Sequence, residues 1–364
     1  MRPRRLAIFV PNLRGGGTER VMATLAREFS QQGHKVDLLL AQGEGPYRAT
    51  IPAEVRIVDF GRNGVFGSLG DLVRYLRRER PDALYSALSH ANVVALLANL
   101  LAGSPTRNVV SERTSFREAK RHLRSLNERL VRLLMRVTYR RAYRIAVVAE
   151  AIVDELHEDL GLDRSRIVAI RNPIVDQGLL DAAAQDPEEP IFAQGRPVIL
   201  AAGRLAFEKD FDSLIRAFAL TRLRHDAALV IVGEGPDRPR LEALVRQLGL
   251  ESHVALPGFV DNPFAFMRAA GLFVLSSRFE GMPGVIVQAM ACGTPVVSTD
   301  CRTGPREILE GGRWGKLVPV GDIPALADAM ISALGEKEHP DVRRAVEDFS
   351  VSVAVQRYLD LALG

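Results

Sequence analysis

The run Pro197–Lys209 reads PVILAAGRLAFEK. Its apolar first part predicts a buried strand that delivers Gly203 and Arg204 to its carboxyl end. Lys209 follows at the start of the next helix, placed at Asp212–Leu223. An arginine and a lysine flanking a strand-to-helix turn form an anion clamp: one supplies a planar fork of donors, the other a mobile point charge. Charge-assisted bonds of that kind contribute about 1.5–3 kcal/mol each. The plainer alternative is a surface ion pair of these cations with Glu208 or Asp210.

A second chemical stretch is Gly271–Asp300, GLFVLSSRFEGMPGVIVQAMACGTPVVSTD. It reads as strand, polar loop, helix and strand. Pro283 opens the helix, where a missing N–H costs nothing. Val285, Ile286, Ala289 and Met290 give the helix an apolar face. Glu280 stands before that helix and Gln288 one turn into it, so both can reach one ligand. Ligands of open α/β sheets bind at the carboxyl ends of strands, and a helix start there offers N–H groups to an anion.

These motifs resemble the retaining glycosyltransferases of family 4, whose mark is E-x7-E followed by A-x-A-x-G-x-P-V-V. Glu280, AMACGTPVVSTD and GPREIL keep the pattern, and G-R-L-x-x-x-K matches it at Gly203, Arg204 and Lys209. The second glutamate is Gln288 here. The family uses it on the donor ribose, and an amide bonds a diol without charge assistance. The resemblance implies a GT-B fold, two doubly wound α/β domains facing across a cleft. It makes Arg204 and Lys209 the neutralisers of a donor diphosphate and Glu280 the residue on the hydroxyls of the transferred sugar. It adds Gly233, Gly281, Met282, Gly284, Val285 and the Gly258–Val260 loop, with Phe259, to the donor site. Phe259 as plain core is the competing reading.

Earlier in the chain, Leu6–Val10 predicts a strand, followed by PNLRGGGTER and a helix. The glycines allow close backbone approach to a ligand. The pattern is neither a Walker A loop nor a dinucleotide fingerprint. By resemblance, Gly16 and Gly17 face the donor diphosphate. His90 begins a helix just past a strand end. It is either a capping or solvated histidine or, by resemblance, a group beside the donor sugar. Glu280, His90, Arg204 and Lys209 make up the candidate catalytic set.

Phe116–Arg144 carries apolar residues at helical spacing, among them Leu126, Leu130, Leu133, Leu134 and Val137, with a one-sided surplus of arginine. By resemblance this part of the first domain is the acceptor side, with Arg113 just before the segment and Arg117, Lys120, Arg121 and Arg124 within it as its cations. Such a segment suits an anionic membrane surface, where each cation contributes about 1 kcal/mol. A docked helix with a solvated basic face is the alternative. Without aromatic interleaving or a known motif, nucleic acid is not expected as a partner.

The 364 residues leave room for two domains. The expected division is 1–175 for the acceptor domain, 176–196 for a linker and 197–348 for the nucleotide-sugar domain, with a helix at about 349–364 packing back on the first. Net charge is +4, and 25% of residues are charged, ordinary for a soluble globular protein. Two cysteines, Cys292 and Cys301, lack any metal-ligand spacing. Asp210-Phe211-Asp212 resembles a D-x-D metal site but lies at a helix start, where capping explains it. No cofactor or metal is expected. Leu6–Val10 is too short for a signal-peptide core, and no run approaches the roughly 20 apolar residues of a membrane span.

The implied reaction is metal-independent, retaining transfer of a hexose or N-acetylhexosamine from a nucleotide-sugar, a UDP-sugar by family weighting. The acceptor is a polyprenyl diphosphate-linked glycan at the cytoplasmic face of the plasma membrane. A nucleotide-sugar 2-epimerase of the same fold and a catalytically silent nucleotide-sugar binder are the rivals.

Overall fold

The computed structural model describes residues 2–14, 17–113, 116–117, 126–302 and 304–364. The chain divides into two units, Met1–Pro173 with Val351–Gly364, and Ile174–Ser350.

The first unit holds β1 (Arg5–Val10), β2 (Lys35–Leu40), β3 (Arg56–Asp59), β4 (Ala83–Ala87), β5 (Arg107–Glu112), β6 (Arg144–Val147) and β7 (Ile167–Ala169). All pair in parallel, in the order β3-β2-β1-β4-β5-β6-β7. Strands such as RLAIFV and ALYSA are buried along nearly their whole length, as a parallel sheet covered on both faces requires. The Val351–Leu363 helix belongs to this unit. Its Val351, Val355, Tyr358 and Leu359 share one core with Leu6, Ile8 and Val10. Tyr85 donates its hydroxyl to the Tyr358 carbonyl at 3.0 Å, and Arg107 donates to the Ala362 carbonyl at 2.9 Å.

The second unit holds β8 (Val198–Ala202), β9 (Ala228–Val232), β10 (Val254–Gly258), β11 (Leu272–Leu275), β12 (Val296–Thr299) and β13 (Lys316–Val318). They are also all parallel, ordered β10-β9-β8-β11-β12-β13. The stretch read as a linker, 176–196, is structured within this unit. Asp176 caps the Gln177–Ala183 helix through Leu179 N, and Leu179 and Ile191 are buried in the second unit's core.

Each sheet reverses its winding once, between β1 and β4 in the first unit and between β8 and β11 in the second. The loops that leave neighbouring strands at such a point diverge and open a crevice. In the second unit those loops are Gly203–Asp210 and Ser276–Pro283. In the first, the described part of the β1 loop is Pro11–Arg14, and the other loop is Leu88–Ser89.

The basic segment departs from the single helix read over 116–144. A helix spans Leu126–Thr138, a 3-10 turn covers Tyr139–Arg141, and Arg144 already pairs with Val109 in β6. The helix buries Val131 and Met135 and leaves Leu130, Leu133 and Val137 exposed. The sequence is apolar on two sides, so periodicity alone did not choose the buried one. Residues 118–125, with Lys120, Arg121 and Arg124, lie outside the described residues, as does Gly16.

Candidate active site

At the second unit's switch point, two groups far apart in sequence meet. Lys209 Nζ donates to Glu280 Oε1 at 2.6 Å, and both side chains are largely covered. The hydroxyl of Ser277 donates to the same oxygen at 2.7 Å. Lys209 thus pairs with neither Glu208 nor Asp210, which excludes the plain surface pair for it. Arg204 is exposed and makes no ion pair among the described residues.

The loop bearing Lys209 is anchored by two residues after β11, Ser276 and Arg278. Ser276 donates its hydroxyl to the Lys209 carbonyl at 2.8 Å. Arg278 N donates to the Glu208 carbonyl at 2.8 Å, and Arg278 Nη2 donates to Asp210 Oδ1 at 2.7 Å. Ser277 is held in turn, its carbonyl accepting from Thr299 Oγ1 at 2.7 Å. These bonds exist because β8 and β11 are hydrogen-bonded neighbours, with Leu272 opposite Ile199. Sequence reasoning missed Ser276, Ser277, Arg278 and Asp210 as members of the site. The signal was the polar triplet Ser276–Arg278 directly after an apolar strand.

Asp210 corrects another expectation. It stands at the N-cap position of the Phe211–Thr221 helix without accepting a capping bond. Its carboxylate takes Arg278 and the Ser213 hydroxyl instead. Asp212 pairs with Arg216 and Arg240. Among the described residues no three His, Cys, Asp or Glu side chains cluster as a metal site.

The helix after Glu280 spans Gly284–Ala291, with Pro283 one position outside it. The first-turn amides of Gly284 and Val285 therefore have no partner within the helix. Gly281, Met282 and Val285 are half-buried along the same turn. Gly304 packs beneath it: a Cβ there would lie 2.4 Å from Pro283 Cδ and 2.8 Å from the Gly281 carbonyl oxygen. Gln288 is half-buried, and its side chain makes no hydrogen bond among the described residues.

Gly233 closes the site's floor. It sits at φ 136, and a Cβ there would fall 1.9 Å from the Gly203 carbonyl oxygen. Only glycine lets the turn after β9 lie against the Gly203 turn. Phe259, beyond β10, is 78% exposed, which removes its reading as core. Val260 beside it is half-buried.

The first unit's switch point is built differently. Leu88, at φ 77, leads into the Ser89–Ala102 helix. His90 lies in that helix's first turn and caps nothing, since Leu88 holds the cap position. Burial lowers its pKa, with Glu19 opposing more weakly, so the imidazole is neutral at pH 7. Next to it Glu112, at the end of β5, is buried. Its carboxylate accepts from Asn92 Nδ2 at 2.9 Å, from Ser89 Oγ at 3.0 Å and from the Tyr139 hydroxyl. Burial pushes the Glu112 carboxyl up, against the pull of those donors. Gly17 opens the Gly17–Gln31 helix after β1.

The two described acceptor-side cations are engaged within their own unit. Arg113 is half-buried and bonds Asn172 Oδ1. Arg117 binds Asp159 through Nε at 2.9 Å and Glu158 through Nη2 at 2.6 Å. Among the described residues of the segment, Arg129, Arg136, Arg140 and Arg141 are exposed, as are Leu130, Leu133 and Val137.

Comparison with known proteins identifies the family. Residues 196–336 match the family model described as glycosyl transferases group 1. Residues 15–177 match the model described as glycosyltransferase family 4. The chain is 31% identical over 329 residues to N-acetylgalactosamine-N,N'-diacetylbacillosaminyl-diphospho-undecaprenol 4-alpha-N-acetylgalactosaminyltransferase of Campylobacter jejuni, covering 87% of this chain and 86% of that one. It is 28% identical, over 95% of both chains, to the lipopolysaccharide core biosynthesis glycosyltransferase LpsE of Rhizobium meliloti. Among solved structures, Alr3699/HepE of Anabaena in complex with UDP superimposes with a TM-score of 0.81 over 98% of both chains, at 20% identity. Both units are Rossmann-like halves of the GT-B fold, and the chain belongs to glycosyltransferase family 4.

Proposed function

We propose that the protein transfers a hexose or N-acetylhexosamine from a UDP-sugar, with retention at the anomeric carbon, to a glycan carried on a polyprenyl diphosphate. The carrying observation is the Lys209–Glu280 pair beside the exposed Arg204. Breaking the sugar–phosphate bond builds negative charge on the departing diphosphate. Fixed cations and amide dipoles aimed at that charge are the largest available source of rate. Arg204, Lys209 and the amides at Gly284 and Val285 fill that role.

Glu280 is the counterion of Lys209. Arrival of the diphosphate gives Lys209 a second anion and turns Glu280 toward hydroxyls of the transferred sugar, with Ser277 as its hinge-side donor. Gln288 holds the ribose diol through its amide. The leaving phosphate accepts the proton of the attacking hydroxyl on the same face, so no enzyme nucleophile is required. Neutral His90 stands beside the donor sugar as a hydrogen-bonding group.

The acceptor class draws support from the Campylobacter relative, whose name specifies a diphospho-undecaprenol-linked substrate. The UDP assignment draws support from the HepE complex, which holds UDP. Membrane contact is assigned to the Leu126–Thr138 helix, where exposed leucines and valine stand among arginines. This suits shallow seating at the inner face of an anionic membrane. No helix among the described residues is long and apolar enough to cross one.

The test is a transfer assay with a panel of nucleotide-sugars and a polyprenyl diphosphate-linked acceptor. Arg204→Ala and Lys209→Ala should each lower turnover by about 100-fold or more with the thermal melt retained. Wild-type rates in both variants would remove the diphosphate assignment.

A further inference from the structure

Lys209 is followed by a residue whose backbone is left-handed. Asp210 lies at φ 50, ψ 43, a conformation that L-residues avoid and glycine adopts freely. Its carboxylate is only 1% exposed. A buried acid at a turn of this kind is strained twice, by its backbone and by its desolvation, so its surroundings must hold it.

Those surroundings come from the loop after β11 and from the helix that Asp210 precedes. Arg278 Nη2 donates to Oδ1 at 2.7 Å, and the Ser213 hydroxyl donates to Oδ2 at 2.9 Å. The guanidinium of Arg278 stacks over the Phe207 ring, 4.6 Å from its centroid. Phe207 begins the same 3-10 turn that ends at Lys209. Arg278 therefore clasps that turn at both ends, at Phe207 by stacking and at Asp210 by charge, and its own N–H holds Glu208 between them. Two residues further on, Glu280 receives the Lys209 ammonium. One short segment thus fixes both the turn that carries the cation and the anion that faces it.

We propose that Asp210 and Arg278 are positioning residues that set where the Lys209 ammonium points, and through it the grip on the departing diphosphate; this rests on the diphosphate role given to Lys209 above. Neither residue needs to touch the donor. Their pair trades backbone strain for a fixed loop, the rigidity that placement of a cation within a fraction of an ångström demands.

The experiment is a double-mutant cycle in the full chain. It reads turnover and, by calorimetry, affinity for whichever of UDP, GDP and ADP the wild type binds best. Lys209→Ala should weaken that affinity about tenfold. Asp210→Asn is isosteric, keeps an acceptor for Ser213 and removes the charge. It should weaken affinity about fivefold and turnover about tenfold or more. In the Lys209→Ala background it should change either reading less than about twofold, the non-additivity expected of residues that act through that one cation. Arg278→Gln should behave the same way, and Arg278→Lys should recover part of the loss. If Asp210→Asn fails to melt cooperatively, Arg278→Gln, changed on the half-exposed side of the pair, carries the cycle alone. Should Lys209→Ala leave nucleotide affinity intact, the site reading falls and the positioning role with it. Should Lys209→Ala weaken binding while Asp210→Asn and Arg278→Gln do not, or should they cost the same factor in both backgrounds, the positioning role alone is wrong.

Discussion

The two sheets share a strand order and a switch point, yet they fill that point with opposite chemistry. In the second unit, β8 and β11 deliver ionic groups to half-covered loops: Lys209, Glu280, Asp210 and Arg278, with Arg204 in the open. In the first, the groups beside β4 and β5 face inward. Glu112 is shut in with Asn92, Tyr139 and Ser89, and burial keeps the nearby His90 neutral. A sheet topology fixes where a crevice lies and leaves open whether its walls carry charge. In the proposed reaction, charge on the second unit's loops meets a ligand whose charge changes. A satisfied buried network in the first serves to hold a shape.

The comparison breaks first at Glu280. Glu280→Gln should lower turnover about 100-fold. By removing the resting counterion of Lys209, it should also leave nucleoside diphosphate affinity equal to or tighter than wild type. Calorimetry with UDP and a transfer assay together read this. Loss of both affinity and rate would mean that Glu280 is needed for the diphosphate itself.

Next comes Tyr139→Phe in the first unit, which removes one donor from the buried Glu112 carboxylate. A buried group left short of a partner costs about 1–3 kcal/mol, read as a lower denaturation midpoint. The rate per folded molecule should stay near wild type. A large fall in rate at unchanged stability would give the Glu112 network a part in the reaction and weaken the contrast.

His90 sharpens the same point through pH. Its pKa is lowered by burial, so the neutral form persists below the ordinary histidine value. Turnover should be flat from about pH 8 down to about pH 6.5 and decline only below that, if the neutral imidazole is the working form. His90→Asn should remove that acid-side decline. A decline beginning above pH 7 would contradict the neutral assignment.

The smallest effect is expected at the exposed ridge of the first unit. Changing Leu130, Leu133 and Val137 together to serine should reduce flotation with anionic liposomes severalfold, while transfer to a soluble, short-chain acceptor is retained. Unchanged flotation would place membrane contact elsewhere.

Much of this was legible before any coordinates. Runs such as VILAA and LFVL are continuous and apolar, and parallel strands covered on both faces must be so. Arg204, Lys209 and Glu280 were visible because their types and their positions at strand ends carry the chemistry. Ser276, Arg278 and Asp210 were not, because each acts on the neighbouring strand's loop, and Ser277 acts on Glu280, whose partner Lys209 comes from that loop. That neighbour is set by β8 lying beside β11, a fact of sheet order that chain order does not contain. The Leu126–Thr138 helix was misread for a different reason: with apolar residues on both sides, its buried face was decided by Val131 and Met135 packing inward. The stretch 176–196 lacked periodicity, and short helical turns with single anchors at Leu179 and Ile191 leave none to find.

The most direct test is a crystal structure of the full chain with UDP bound, read as the distance from Lys209 Nζ to the nearest diphosphate oxygen. A value of about 3 Å, with Arg204 on the same diphosphate and the 2.6 Å contact to Glu280 opened, is the predicted result. A diphosphate bound elsewhere, or a Lys209 still closed on Glu280 with UDP in place, would contradict it.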